Sequence, residues 1–210
     1  MKKTQVKILT NATSLFNKKG VSNVRLQDIA KKSGISAGNL SYHYKTKKDL
    51  MKAVLAFMNE NLVESRSTNL AFLENNNYTA LIKNYLGFQI RHRFFYRDIL
   101  EIINLVPEAK TIFENQIQQV INFSKNGTYL AIGKGIMIPE PYEGHYELFA
   151  KNGWAIMQGW LIERDVMGEK KVSINQVIMA ILESHYPYFT EKGKEMFENL
   201  QKQLPELLEG

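Results

Sequence analysis

The stretch from Asp28 to Leu50, DIAKKSGISAGNLSYHYKTKKDL, constrains the fold of this 210-residue chain more than any other. It reads as two short helices around a tight turn, followed by the capped start of a third. Ile29 and small Ala30, within Asp28–Ser33, suit a helix packed closely on a neighbour. Gly34 can take the positive φ of a sharp helix exit, Ile35 plugs the core, and Ser36 brings a hydroxyl to cap the next helix. That helix is expected over Ala37–Tyr44 with Leu40 as its one buried anchor. Its other residues are the small Ala37 and Gly38, then Asn39, Ser41, Tyr42 and His43. Small residues let a helix end approach another molecule closely, and polar ones can read base edges or phosphates. The pattern is that of a helix-turn-helix whose second helix is a recognition helix.

Charge points the same way. Residues 1–52 hold 12 Lys or Arg against only Asp28 and Asp49, whereas the remainder carries a net charge of −4, giving +6 overall. A basic N-terminal quarter on a mildly acidic remainder is an electrostatic footprint for nucleic acid, although a solvated lysine-rich face has the same composition. The absence of cysteine excludes disulfides, thiolate metal sites and a cysteine nucleophile, and fits a reducing cytoplasm. The start, MKKTQVKILTNATSLF, lacks the apolar run of a signal peptide, and no apolar stretch approaches the roughly 20 residues that span a bilayer. A cytoplasmic protein with no membrane partner is expected.

Helical periodicity runs through the rest. Val6, Leu9, Thr13 and Phe16 fall on one stripe of a first helix, thickened by Ile8, Ala12 and Leu15, and Gly20 stops it after Lys18 and Lys19. Thr46-Lys-Lys-Asp49 resembles a capping box opening a long helix with Leu50, Val54, Phe57 and Leu62. No loop separates it from the helix-turn-helix, so it should join two domains, 1–46 and 47–210, rigidly. Further helices are expected near Tyr78–Arg97, Pro107–Ser124, Tyr146–Met167, Ile174–Tyr186 and Lys192–Leu208. Turns are expected at Asn75-Asn-Asn77, Pro139-Glu-Pro141 and Gly168-Glu-Lys-Lys171. Gly127–Pro139 reads as a helix tail or as a short extended segment. Nothing alternates with period two, so the fold class is all-α.

Three features agree in register: the ILTNATSLFNKKG helix, the Gly34-Ile35-Ser36 turn and the GNLSYHYKTKKDL ending. On these the chain resembles the TetR/AcrR family of bacterial transcriptional regulators over about 45–50 residues. The resemblance implies three N-terminal DNA-binding helices and a helical C-terminal domain that dimerises and encloses a small-molecule pocket. It implies a sequence-specific regulator, most often a repressor released by its ligand, and not an enzyme. The alternative is a DNA-binding regulator with no small ligand that acts through a protein partner. Two positions depart from the family pattern. Val24 and Arg25 stand where Thr or Ser commonly leads into the second helix, leaving capping to Asn23 or to nothing. Ser41 stands where an aromatic is common.

The candidate DNA-binding residues are Arg25, Ser36, Ala37, Gly38, Asn39, Ser41, Tyr42, His43, Lys47 and Lys48. Lys47 and Lys48 sit at the positive end of a helix, where a cation costs a few tenths of a kcal/mol unless a phosphate is near; plain solvation is the alternative. Tyr44 is expected in the core. The four histidines show no metal-ligand spacing, and no P-loop, GxSxG or Rossmann fingerprint appears, so neither metal, cofactor nor catalytic residue is expected. Tyr85, Phe88, Arg91, Trp154 and Met157 are candidates for a largely apolar ligand with an acidic end, though aromatic stripes equally fill cores. A homodimer is expected through Tyr146–Met167 and Ile174–Tyr186. There Val177, Ile178, Ile181, Leu182 and His185 form a wide stripe, and Gly153 and Gly159 permit close approach. Two-fold symmetry would match a near-palindromic double-stranded operator.

Overall fold

The structure, a computed structural model, describes residues 2–74, 78–168 and 174–203, without the side chains of 63–74, 78–79, 81–82, 85–86, 165, 174–175, 178 and 203. No strand occurs among the described residues, only a lone bridge between Met137 and Phe189. The expected all-α class is therefore observed. Among the described residues, no helix is long and apolar enough to cross a membrane. The chain divides into two compact units, Met1–Thr111 and Ile112–Gly210. This partition differs in kind from a functional one at residue 46, because the helix-turn-helix shares its unit with the long helix that follows.

In the first unit, α1 (Lys3–Lys19) buries Ile8, Leu9, Ala12, Leu15 and Phe16. Val6, expected on this stripe, is 37% exposed. It stands two residues, about 200° of helix rotation, from Ile8. Gly20 ends the helix at φ 83°, its N–H donating to the Phe16 carbonyl. Helix α2 (Leu26–Ser33) starts earlier than Asp28 because the Asp28 carboxylate accepts the Arg25 N–H at 3.0 Å and so closes the first turn. Asn23 does not cap α2: its amide donates to the Lys19 carbonyl at 2.9 Å and finishes α1 instead. The exit of α2 is a Schellman motif, with Gly34 at φ 66°, ψ 36°. Ile35 N–H reaches the Ala30 carbonyl and Gly34 N–H the Lys31 carbonyl, both at 3.1 Å.

Helix α3 (Ala37–His43) stops one residue before the expected end, since Tyr44 is extended (φ −140°, ψ 107°) and turns its ring into the core. Helix α4 (Lys47–Glu74) opens on the expected reciprocal cap. Asp49 Oδ2 accepts from the Thr46 N–H at 3.0 Å, while Thr46 Oγ1 accepts from the Asp49 N–H at 3.1 Å. Its inner face is Leu50, Met51, Val54, Leu55 and Met58; the expected Phe57 and Leu62 are only partly buried.

The helix expected over Tyr78–Arg97 is broken into α5 (Tyr78–Arg91) and α6 (Arg93–Arg97), with α7 (Ile99–Leu105) following. The break falls at His92 (φ −120°, ψ 30°), where one side chain from α1 satisfies both sides. Asn17 Nδ2 donates to the Arg91 carbonyl at 2.8 Å, and Asn17 Oδ1 accepts the Phe94 N–H at 2.9 Å. Arginines then close the end of α1, whose last carbonyls carry its negative pole. Arg93 Nη2 and Arg97 Nη1 donate to the Asn17 carbonyl at 3.2 and 3.1 Å, and Arg97 Nη2 donates to the Phe16 carbonyl at 2.8 Å. Asp98 holds Arg97 bidentately at 2.8 and 3.0 Å and accepts the Val21 N–H at 2.8 Å.

Helix α8 (Ala109–Gly133) runs past the expected end at Ser124, so residues 127–133 are helical. Gly135 then turns the chain at φ 68°. In the second unit, α9 (His145–Val166) follows the turn around Pro139–Pro141. Next come α10 (Ile174–His185), a 3-10 turn (Tyr186–Tyr188) and α11 (Glu191–Gln203). The turn expected at Asn75-Asn-Asn77, most of that at Gly168-Glu-Lys-Lys171, and the expected continuation of α11 to Leu208 lie outside the described residues. An aromatic cluster ties this unit together. The His145 ring lies 4.7 Å from Tyr188, 4.8 Å from Tyr142 and 5.1 Å from Tyr146, and Phe149 meets His185 edge-on at 4.2 Å. Tyr146 is fully buried, with its hydroxyl donating to the Ile138 carbonyl at 2.8 Å. Gly193 is required here, because a Cβ would stand 2.2 Å from the Ile136 carbonyl oxygen.

Candidate nucleic-acid interface

Helix α3 is held by very little of itself. Leu40, 1% exposed, is its sole buried residue, and the Ser36 hydroxyl accepts the Asn39 N–H at 3.1 Å to cap its start. Anchored by one apolar side chain and the Schellman turn before it, the helix leaves Ser36, Ala37, Gly38, Asn39, Ser41 and Tyr42 exposed. Tyr42 is 85% exposed, a large cost for a ring that only packs within its own fold. His43 is partly buried, its ring edge-on to Tyr42 at 5.5 Å.

Gly38 is the most telling position. A Cβ there would meet nothing nearer than the Ser36 hydroxyl at 4.0 Å, and its φ is not positive. Glycine inside a helix costs roughly 0.5–1 kcal/mol relative to alanine. Neither the packing nor the backbone of this fold asks for glycine at this point, on the exposed side of the helix.

The basic groups differ in how they are held. Arg25, at the start of α2, is exposed, as is Lys48 in the first turn of α4. Lys47 is folded back: its ammonium donates to the Val21 carbonyl and, at 3.4 Å, to the Ser22 carbonyl. These two carbonyls answer the cation that the helix pole disfavours. Lys47 is thus already engaged by backbone carbonyls, whereas Lys48 extends into solvent. Tyr44, buried beneath, has its phenol pushed upward by burial.

The residues considered for a ligand separate. Phe88 and Arg91 belong to the first unit, Trp154 and Met157 to the second, and the Tyr85 side chain lies outside the described residues. Phe88 is 2% exposed, its ring 4.4 Å from that of His92. Burial pulls the His92 imidazole below its ordinary value, with Arg91 adding to the shift and the hydrogen bond to the Phe88 carbonyl opposing it. Met157 is buried at 2%, and the Trp154 indole N–H, also buried, has no hydrogen-bond partner among the described residues. Sequence reading passed over Asn17, Arg97 and Asp98. Polar residues near a helix end look like surface until tertiary structure sets backbone groups against them.

Residues 8–54 match the model of bacterial regulatory proteins of the tetR family, and residues 49–197 match the model TetR, bacterial transcriptional repressor. The chain is 28% identical over 129 residues to the "Probable HTH-type transcriptional regulator YttP" of Bacillus subtilis strain 168, a stretch covering 56% of this chain and 62% of that protein. It spans 62–63% of the length of the curated relatives it matches. A TetR-family transcriptional regulator from Marinobacter aquaeolei VT8 superposes with a TM-score of 0.79 at 22% identity, covering 97% of this chain and 99% of the other. A gamma-butyrolactone receptor described as ArpA-like superposes with a TM-score of 0.69 at 14% identity, covering 96% of each. These two likenesses are of fold.

Proposed function

Because the chain belongs to the tetR family of bacterial regulatory proteins, which are DNA-binding transcriptional regulators and not enzymes, we propose that it represses its target genes by inserting α3 into the major groove of a near-palindromic operator, and that a small ligand releases it. In this reading residues 1–46 are the DNA-binding domain and residues 47–210 the regulatory and dimerisation domain.

The observation that carries the reading is the exposed face of α3, and above all Gly38. A helix glycine with open space around it stabilises nothing within the chain. It makes sense where the helix end must lie close against a partner. Asn39 and Ser41 then meet base edges, and Tyr42 and His43 meet bases or sugar-phosphate. Arg25, Lys47 and Lys48, with the N–H groups at Ser36 and Ala37, meet phosphates. Two recognition helices related by a two-fold axis are spaced at about 34–36 Å or a multiple. Gly153 and Gly159 on α9 support a homodimer, since a Cβ at either would also meet nothing within 4 Å among the described residues. Leu148, Ile162 and Val166 on the same helix are half or more exposed. For the ligand, the buried Trp154 N–H, without a partner among the described residues, favours a largely apolar compound with an acceptor group. The solved gamma-butyrolactone receptor of this fold is a precedent for such a compound.

A mobility shift with DNA from around its own gene tests the reading. Wild-type protein is expected to bind, with affinity falling roughly 10³–10⁵-fold between about 50 and 200 mM salt if about 6–10 phosphates are neutralised. Asn39→Ala is expected to cost about 1–3 kcal/mol on the preferred site and to relax one base position. An unchanged sequence preference in Asn39→Ala would show that α3 is not the reading helix.

A further inference from the structure

The short segment between α1 and α2 is strung between two opposite charges through a single residue. Val21 has a fully buried side chain, donates its N–H to Asp98 Oδ2 at 2.8 Å, and offers its carbonyl to the Lys47 ammonium. The charges stand on different elements, Asp98 at the start of α7 and Lys47 at the start of α4.

Asp98 is itself firmly placed. Its side chain is only 12% exposed, and both of its oxygens accept: Oδ1 from Arg97 Nε, Oδ2 from Arg97 Nη2 and from the Val21 N–H. Charge-assisted bonds of this kind are stronger than bonds between neutral groups. At the other end Lys47 donates to the Val21 carbonyl and, at 3.4 Å, to the Ser22 carbonyl. An ammonium carries three donors, so two carbonyls place it without exhausting it. A lysine free in solvent loses rotamer freedom when it grips a phosphate. One already held by backbone carbonyls has lost that freedom beforehand.

We propose that Asp98 is a positioning residue for DNA binding: through the Val21 backbone it places the carbonyls that hold the Lys47 ammonium ready for a phosphate. The inference rests on the operator reading above, in which Lys47 meets a phosphate. It also runs against net charge, since an added acid ordinarily weakens attraction to a polyanion. Asp98 escapes that rule because its charge is matched by Arg97 and its effect is relayed by backbone.

Two measurements on the full chain test this. Without DNA, lysines are labelled with an amine-reactive ester and read by mass spectrometry, with exposed Lys48 as the internal reference. In wild type Lys47 is expected to react several-fold more slowly than Lys48. In Asp98→Ala it should approach the Lys48 rate, while Lys48 itself stays unchanged. With a duplex from the DNA around its own gene, Asp98→Ala should bind about fivefold more weakly, within the worth of one hydrogen bond. Its log affinity should also fall less steeply with log salt, by about 0.9, the slope of one phosphate. Adding Asp98→Ala to Lys47→Ala should change neither quantity further. Lys47→Ala leaves the core untouched and stays measurable even where Asp98→Ala fails to fold. It carries the reciprocal test, because the Val21 amide should exchange its hydrogen faster once Lys47 no longer holds the carbonyl.

The proposal is overturned if Lys47 labels as fast as Lys48 in wild type, if Asp98→Ala leaves the Lys47 rate unchanged, or if Val21 exchange ignores Lys47→Ala. It is equally overturned if Asp98→Ala binds DNA as tightly as wild type or more tightly, the outcome that net charge alone predicts. Equal losses from Asp98→Ala with and without Lys47 mark a merely structural effect and also overturn it. Wild type binding no duplex removes the operator reading and this proposal together. Normal wild-type binding without the labelling response removes this proposal alone.

Discussion

The first unit fastens its helices at α1 with a polar clasp, whereas the second packs aromatic rings around His145. In the clasp, Asn17, Arg93, Arg97 and Asp98 each meet an assigned partner: a helix-end carbonyl, a helix-start N–H or one another. In the cluster, Tyr142, Tyr146, Phe149 and Tyr188 share contacts among several rings, with few directional bonds. The difference lies in how each fails. A directional network loses whole partners when one member is removed, while a packed cluster loses area and leaves a void. The clasp is therefore sensitive to the loss of a single partner, and the cluster to the loss of ring volume.

The largest effect is expected from Tyr146→Ala, which empties a fully buried ring site and should cost about 3–5 kcal/mol in urea unfolding. A loss under about 1 kcal/mol would show that the rings merely touch and do not cohere. Next is Asp98→Ala, which strands the Val21 N–H and takes the carboxylate from the Arg97 guanidinium, whose side chain is only 24% exposed. A cost of about 2–3 kcal/mol is expected, lowered if Arg97→Ala is made with it. Simple additivity in that double-mutant cycle would dissolve the clasp into independent bonds.

Acid should sharpen the contrast less strongly. Burial lowers the imidazoles of both His92 and His185 below the ordinary value of 6.5. Above that value neither the folded nor the unfolded chain is protonated at these sites. As pH falls through it the unfolded chain takes up protons that the folded chain resists, so stability is lost down to the depressed folded values. Thermal unfolding from about pH 7.5 to about pH 5.5 should show this loss. His92→Gln should flatten it in the clasp's unit and His185→Gln in the cluster's. Equal slopes in wild type and both variants would remove the histidines from the account. The smallest effect on stability belongs to Gly38→Ala, expected to raise it by up to about 1 kcal/mol while weakening operator binding in a mobility shift. Stability and DNA affinity falling together would return Gly38 to the fold.

How far the sequence could be read follows the same division. The helix-turn-helix was legible because its signals are local. Gly34 needs its left-handed backbone, Leu40 is the one apolar residue in its turn, and Thr46 and Asp49 cap each other three residues apart. The break at His92 was not legible. Apolar spacing continues through Phe88, Phe94 and Phe95, and what divides the helix is an asparagine more than 70 residues earlier. The start of α2 lies earlier than the sequence suggests because Asp28 acts from inside the first turn on Arg25. Val6 falls outside the buried stripe because a run of neighbouring apolar residues fits more than one rotation. The polar face of α3 could be listed residue by residue from the sequence, but only the open space around Gly38 separates it from an ordinary solvated helix.

Because Thr46 and Asp49 cap α4 directly after α3, the end of the helix-turn-helix is also the tip of a 28-residue rod. At 1.5 Å per residue that rod is about 42 Å long, so pivoting it by about 5° at its far end swings Lys47 through about 3.7 Å. Such a displacement exceeds the length of a hydrogen bond. An angular change of a few degrees at one end thus becomes, at the tip, a displacement large enough to make or break a contact of Lys47.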